Sequence, residues 1–155
     1  MKPIRATDPY DWPALLRLIQ TSFAYMEGRI DPPSSMHRLT VDDIAQQAEI
    51  GEVWVIEEAD HPVACVFLTP RKDALYLGKL AVEAGYRGRG LARKLVETAQ
   101  SRARALGLPL LELQSRIELV ENHAAFASMG FTLADETAHP GYDRPTSLTF
   151  RKTLH

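Results

Sequence analysis

The stretch of residues 80–92, Leu-Ala-Val-Glu-Ala-Gly-Tyr-Arg-Gly-Arg-Gly-Leu-Ala, constrains the fold of this chain more than any other. An apolar run that ends at Val82 is followed by a glycine-rich loop and then by an amphipathic segment that opens at Leu91. Glycine lets backbone N–H groups turn toward an anion, and the start of a helix adds a partial positive charge. Strand, loop and helix in this order predict a cradle for a diphosphate group.

The spacing of this loop excludes two common nucleotide-binding motifs. Arg93 stands where the dinucleotide-binding motif needs its third glycine, and no Gly-Lys-Ser/Thr follows as in a nucleoside-triphosphate loop. The loop alone leaves two other interpretations open: a glycine-rich helix start without a ligand, and an Arg-Gly segment that binds RNA. The formal net charge of −2 argues against nucleic acid as a partner.

The composition, with 45% hydrophobic and 25% charged residues, is typical of a soluble globular protein. A length of 155 residues predicts a single domain over residues 1–155. Cys65 is the only cysteine, so no disulfide can form within the chain, which favours a cytoplasmic location. No apolar run approaches ~20 residues, and the histidines lack metal-ligand spacing. We therefore expect neither a membrane partner nor a bound metal.

Apolar periodicity predicts the element order β-α-α-β-β-β-α-β-α-β-β, an α/β mixed sheet with one parallel crossover. The predicted strands are 2–6, 53–59, 63–71, 74–82, 108–113, 131–133 and 146–152. The predicted helices are 13–26, 40–51, 90–106 and 122–129. Asp11 is a predicted helix cap, Thr40 and Asp43 form a predicted capping box, and Gly51 is a predicted helix end.

The motif Arg-x-x-Gly-x-Ala, formed by Arg87, Gly90 and Ala92, resembles the acyl-CoA pyrophosphate loop of the GNAT superfamily of N-acetyltransferases. The preceding Leu80-Ala81-Val82 resembles the end of that family's central strand, and the predicted element order resembles that of the family from about residue 2 to 152. The resemblance implies a GNAT-like fold in which the central sheet is splayed and binds acyl-CoA. It also implies acetyl-CoA as the cosubstrate.

The resemblance implies roles for the backbone on both sides of Glu83. Leu80 and Val82, with Ala81 between them, would hydrogen-bond the pantetheine arm, and the Val82 region would polarise the thioester carbonyl. The residues implied to bind the pyrophosphate are Arg87, Gly88, Arg89, Gly90, Leu91 and Ala92.

Residues 122–131 resemble the family's later motif, in which an Asn begins a short helix that ends in Gly-Phe. Asn122 is thereby implied to hydrogen-bond pantetheine, although an Asn at a helix start is equally an ordinary N-cap. Many members carry a tyrosine four residues before the glycine as the general acid. Phe126 stands there in this chain and cannot donate a proton, so it is implied only to contact the cofactor.

The expected acceptor is a primary amine, on a small molecule or a protein, that attacks the thioester directly. A lysine-like amine must first lose a proton, which at pH 7 costs roughly 4–5 kcal/mol. No motif identifies the base, and the candidates are Glu57, Glu58, Glu83, His123, His139 and Tyr142. Tyr142, in the loop before the last strand, is the predicted catalytic hydroxyl near the acceptor. Residues 42–60 include seven acidic and no basic side chains, which would favour a cationic amine if they line the site and form a solvated face otherwise.

Two further expectations complete the analysis. Resemblance to the family implies a homodimer as the assembly. The alternative to an enzyme is a CoA-binding sensor or partner module without turnover, and the absence of a tyrosine at Phe126 keeps that alternative open.

Overall fold

The computed structural model describes all residues from 1 to 155 and contains seven β-strands and four α-helices. The strands are β1 (Ile4–Arg5), β2 (Glu52–Glu58), β3 (His61–Pro70), β4 (Ala74–Val82), β5 (Leu110–Arg116), β6 (Thr132–Thr137) and β7 (Ser147–Thr153). The helices are α1 (Trp12–Phe23), α2 (Val41–Ile50), α3 (Leu91–Ala105) and α4 (Val120–Ser128). Their order along the chain confirms the predicted one.

All seven strands form one sheet in the order β1-β2-β3-β4-β5-β7-β6. Every neighbouring pair is antiparallel except β4 and β5, which run parallel. Helix α3 connects this parallel pair, as the predicted crossover requires.

The sheet has a hydrophobic core on each face. On one face, α3 contributes Leu91, Leu95 and Val96 to a core shared with β3, β4 and β5. On the other face, Leu15 and Ile19 of α1 join Ile44 of α2 and the opposite side chains of β2 and β3. Alternating strand residues therefore point into both layers, which explains why these strands are apolar almost throughout.

Local signals fix the start of α1 and both ends of α2 as predicted. The side chain of Asp11 accepts a hydrogen bond from the N–H of Ala14 at 3.0 Å. Thr40 and Asp43 make both hydrogen bonds of a capping box, and Gly51 is the C-cap of α2. Each cap satisfies backbone groups that the helix itself leaves unpaired.

Several predicted boundaries were wrong by two or more residues. Helix α1 ends at Phe23 rather than 26, β3 begins at His61 rather than 63, and β5 spans Leu110–Arg116 rather than 108–113. Strand β1 spans only Ile4–Arg5 rather than 2–6, and Pro3 before it lacks the N–H that a longer ladder would need. Strand β6 spans Thr132–Thr137 rather than 131–133, and all six residues are exposed, so pairing with β7 defines it and burial does not. Helix α4 begins at Val120 rather than Asn122 because Leu119 before it is buried and anchors the turn.

Candidate active site

Strands β4 and β5 separate partway along their length. They pair only from Ala74 and Leu110 to Tyr76 and Glu112, after which both strands continue without pairing to each other. Strand β5 is paired with β7 along its whole length, so its far edge is closed. The result is a V-shaped gap with one rim on β4 and the other on β5, as the predicted splayed sheet requires.

A β-bulge shapes the β4 rim. Between the pairs Cys65–Ala81 and Phe67–Gly78, β3 has one residue and β4 has two, Lys79 and Leu80. Lys79 adopts a positive φ of 49°, a strained conformation for a residue with a side chain. Bulges of this kind bend a strand and re-aim its side chains, and they are frequent beside active sites.

The predicted rim residues Leu80, Ala81 and Val82 lie on this segment. The N–H of Glu83 donates to the Val63 carbonyl on β3 at 2.8 Å. Because successive residues of a strand direct their N–H groups to opposite edges, Val82 and Leu80 direct theirs toward the gap. The side chains of Leu80 and Val82 pack against the core on the α3 face, and Ala81 is buried in the opposite core.

The loop after β4 presents a row of unpaired amides. The N–H groups of Tyr86 and Arg87 donate to the carbonyls of Glu83 and Ala84, but no acceptor within the protein binds those of residues 88–93. Gly88 and Gly90 adopt φ values of 78° and 77°, which a glycine adopts without strain. These amides stand at the start of the 15-residue helix α3, where the helix dipole adds positive potential.

The side chains of this loop surround the amides. Arg87 donates from Nε to the Val82 carbonyl at 3.3 Å, and the Arg89 guanidinium lies 4.8 Å from the centre of the Tyr86 ring. Both arginines are exposed, Leu91 is buried and anchors the helix, and Ala92 is half-buried. A side chain built at Gly88 or Gly90 would meet no protein atom within 4 Å, so the space beside both glycines is open.

Asn122 does not begin α4 as the sequence suggested, and Phe126 packs among aromatic rings. Asn122 is the third residue of α4 rather than its N-cap, and its amide donates to the Tyr25 hydroxyl at 3.0 Å. The Phe126 ring packs against the rings of Phe131 and Phe150, with centres 6.2 and 5.9 Å apart. Asn122 therefore ties α4 to the turn that follows α1, and Phe126 belongs to an aromatic cluster.

Tyr142 links the β6–β7 loop to the segment between α1 and α2 by a hydrogen bond. Its hydroxyl donates to Asp31 at 2.6 Å, and Arg144 forms an ion pair with the same carboxylate at 2.9 Å. The hydrogen bond to Asp31 raises the pKa of the Tyr142 phenol. On the same side, Arg116 at the end of β5 donates to the Pro32 carbonyl at 2.6 Å.

Sequence reasoning missed Tyr76, which lies where the gap begins to open. A Cβ built on Gly78 would lie 3.6 Å from the Tyr76 ring, and the Arg71 guanidinium lies 3.9 Å from the ring centre. Burial raises the pKa of Tyr76, while Arg71 and the backbone N–H of Gln114 on β5 oppose the rise. The phenol therefore extends from β4 toward β5. The distance at Gly78 is an ordinary van der Waals contact, so no short sequence signal marks Tyr76.

The acidic side chains between residues 42 and 60 do not converge on one surface. Asp43 belongs to the capping box of α2, Glu52 pairs with Arg102 of α3 at 2.8 Å, and Glu57 accepts from Tyr10 at 2.7 Å. Cys65 is fully buried, and burial raises the pKa of its thiol to about 12. Asp43, Glu52 and Glu57 therefore have structural partners, and Cys65 is too buried to act as a nucleophile.

Two classes of feature are absent from the structure. No group of three His, Cys, Asp or Glu side chains is arranged to hold a metal ion. None of the helices has the length and hydropathy needed to cross a bilayer.

Comparison with known proteins agrees with this geometry. The family model described as an acetyltransferase (GNAT) domain matches residues 49–133, more than half of the chain. The chain belongs to the GNAT acetyltransferase family. The predicted family and the predicted class of enzyme, an acyltransferase, are thereby confirmed.

One curated relative within this class is the probable N-acetyltransferase 14 of Danio rerio, 32% identical over 100 residues. The match covers 63% of this chain and 36% of that relative, so the chain matches only about a third of the relative's length.

Solved GNAT structures share the fold at low sequence identity. An acetyltransferase from Streptococcus agalactiae superposes with a TM-score of 0.77 at 22% identity and covers 99% of this chain and 98% of its own. A GNAT acetyltransferase from Elizabethkingia anophelis, solved with acetyl-CoA bound, gives 0.71 at 14% identity, covering 99% and 97%. The ribosomal-protein-S18-alanine N-acetyltransferase of Escherichia coli gives 0.71 at 19% identity, covering 97% and 93%.

Proposed function

We propose that this protein transfers the acetyl group of acetyl-CoA to a primary amine on a small molecule or a protein. The observation that carries the proposal is the row of unpaired amides at residues 88–93, which stands at the wide end of the gap between β4 and β5. Several aligned N–H donors at a helix start suit a pyrophosphate. The bound acetyl-CoA of the Elizabethkingia anophelis neighbour supports the choice of cosubstrate.

In this proposal the pantetheine arm lies along the β4 rim. The backbone of Leu80 and Val82 binds it, and the N–H groups near Val82 polarise the thioester carbonyl as negative charge develops on its oxygen. Arg87 and Arg89 add positive charge beside the pyrophosphate. Asn122 remains a proposed pantetheine ligand only if its amide releases Tyr25, and Phe126 contributes an apolar contact.

The proposed chemistry is a direct attack. The neutral amine nitrogen forms a bond to the carbonyl carbon, the carbon–sulfur bond breaks, and CoA leaves as a thiolate. The proton that the nitrogen loses passes to solvent or to the thiolate. Tyr142 is the proposed hydroxyl near the acceptor, and its raised pKa keeps the phenol protonated at neutral pH. Tyr76 is a second candidate because its phenol extends toward the β5 rim.

A CoA-binding module without turnover is the second candidate function. Phe126 favours it, since an aromatic side chain without a hydroxyl is packed where many family members carry their general acid. The single domain over residues 1–155, a cytoplasmic location and a homodimer remain part of the proposal.

Calorimetry separates these functions. Acetyl-CoA and desulfo-CoA are titrated into the protein, and a panel of amines is then assayed for release of free thiol. We expect binding of both cofactors and thiol release with at least one amine. Binding without acetylation of any amine would favour the sensor, and absence of CoA affinity would contradict both functions.

A further inference from the structure

A cavity of about 390 Å³ lies on the α1/α2 face of the sheet beside the β4 bulge. Its wall is formed by α2, by the turn before α2 and by one residue of the sheet. The polar lining side chains are Ser35, Arg38, Asp43, Gln46, Gln47 and Lys79. The cavity is distinct from the loop at residues 88–93, none of whose side chains lines it.

The bulge directs the Lys79 side chain into this cavity. Lys79 is the extra residue of β4, and its positive φ of 49° reflects the local change of direction. Its ammonium donates to Oε1 of Gln47 at 2.9 Å and lies 5.2 Å from the centre of the Phe67 ring. A strained backbone that aims a half-buried lysine at a cavity is a feature that function, rather than stability, explains.

Neither cation of the cavity, Lys79 or Arg38, is in an ion pair, and the one nearby carboxylate, that of Asp43, opposes only part of the fall in the Lys79 pKa. Asp43, the one acidic lining residue, accepts from the Thr40 N–H at 2.9 Å as part of its capping box. Burial lowers the pKa of Lys79, which shows that the surrounding groups only partly compensate its charge.

The cavity is close to the gap. The backbone of Lys79 is part of the β4 rim. The Tyr76 ring packs beside the neighbouring residue, Gly78. Lys79 thus belongs both to the cavity wall and to the β4 rim, so a molecule in the cavity lies beside the strand that borders the gap.

We propose that this cavity binds an anionic group, a carboxylate or a phosphate, carried by the acceptor amine. Lys79 and Arg38 bind the anion, and the amine of the same molecule reaches the thioester in the gap. The inference rests on the proposed acetyltransferase function and adds the substrate class. Charge-assisted hydrogen bonds to an anion are about twice as strong as neutral ones, so the pair discriminates an anionic acceptor from its neutral analogue.

The test compares matched acceptors. The first is an amine that carries a carboxylate, and the second is the same amine with the carboxylate converted to a carboxamide. A third acceptor carries a phosphate in its place. Values of kcat/KM are measured for the wild-type protein, Lys79→Met, Lys79→Arg and the control Lys72→Met, whose lysine is exposed in the β3–β4 turn. We expect the wild type and Lys72→Met to prefer an anionic acceptor at least tenfold. Lys79→Met should lose the preference while KM for acetyl-CoA is unchanged, and Lys79→Arg should keep part of it.

The outcomes are distinguishable. If amines are acetylated but the carboxylate, phosphate and carboxamide forms react equally, this inference is wrong and the acetyltransferase function stands. An equal preference in wild type and Lys79→Met also contradicts it. If acetyl-CoA binds but no amine is acetylated, the proposed function itself fails. Thermal unfolding checks the variant: because burial disfavours the Lys79 charge, Lys79→Met should unfold at a temperature no lower than the wild type.

Discussion

At the scale of single residues, two glycines decide whether the loop after β4 binds a diphosphate. Gly90 has a φ of 77°, and space beside it is open. We expect Gly90→Val to weaken acetyl-CoA binding at least tenfold, because the side chain occupies the space beside the amides. Calorimetry measures the acetyl-CoA affinity of the variant.

Gly107→Val is the control, since Gly107 has a φ of 72° and equally open surroundings at the other end of α3. Both variants should lose about 1–2 kcal/mol of stability to backbone strain. Equal acetyl-CoA affinities in the two variants would contradict the proposal that the loop after β4 binds the diphosphate.

Removing one hydroxyl at a time shows whether Tyr142 or Tyr76 acts near the acceptor. If Tyr142 acts near the acceptor, Tyr142→Phe should lower kcat by roughly tenfold or more without changing KM for acetyl-CoA. Tyr76→Phe should then leave kcat nearly unchanged. The reverse result would transfer the role to Tyr76. Tyr86→Phe, at the margin of the pyrophosphate loop, controls for the general effect of losing a hydroxyl.

At the scale of elements, one ion pair holds α3 to β2. Arg102 donates to both oxygens of Glu52, at 2.8 and 2.9 Å, and Trp54 donates to the same carboxylate at 2.9 Å. Burial alone would raise the pKa of Glu52, but these hydrogen bonds outweigh it and the pKa is lowered. The side chain of Glu52 is 8% exposed and that of Arg102 is 30% exposed. The pair therefore joins the last turn of α3 to the start of β2.

The lowered pKa gives a pH dependence with a definite sign. Glu52 stabilises the fold fully above its unfolded pKa of about 4.5, and this contribution is lost as the pH falls through the lower pKa of the folded state. Urea unfolding of Glu52→Gln should show a loss of about 1–3 kcal/mol at pH 7 that shrinks below pH ~4. Glu121→Gln breaks an exposed pair with Arg29 and should cost less than about 1 kcal/mol. A loss in Glu52→Gln that does not change with pH would be inconsistent with this account.

At the scale of the whole molecule, the segment between α1 and α2 is held against the other half of the sheet. Asp31 accepts from Tyr142 and Arg144, and Arg29 pairs with Glu121 of α4 at 2.7 Å. These contacts join parts of the chain about a hundred residues apart, and most are exposed. They therefore contribute more to the shape of the acceptor side than to the free energy of unfolding.

Removing Asp31 tests this role. Asp31→Ala should leave the free energy of unfolding within about 1 kcal/mol of the wild type and should speed amide hydrogen exchange in residues 24–40. KM for the acceptor should rise, with KM for acetyl-CoA unchanged. Asp73→Ala, in the exposed β3–β4 turn, is the control. Unchanged exchange in residues 24–40 would show that other contacts hold the segment.

The element order and the strand, glycine-rich loop and helix over residues 80–92 were predictable because each depends on residues close together in the chain. The helix caps at Asp11 and Thr40 are local in the same sense. The start of α4 was mispredicted because a buried contact of Leu119 with Met26 and Ile30 decides it, and no capping side chain marks it. The bulge at Lys79 depends on the register between β3 and β4, which no short motif reveals.

The short ladder between β4 and β5 also limits what the gap accommodates. Tyr76 and Glu112 are the last paired residues, so the narrow end of the V is closed by main-chain hydrogen bonds. A group that advances toward this apex meets a wall that yields only if those bonds break, each at a net cost of about 1 kcal/mol. If acyl-CoA lies in the gap as proposed, an acyl chain directed toward this end cannot pass between the two paired strands.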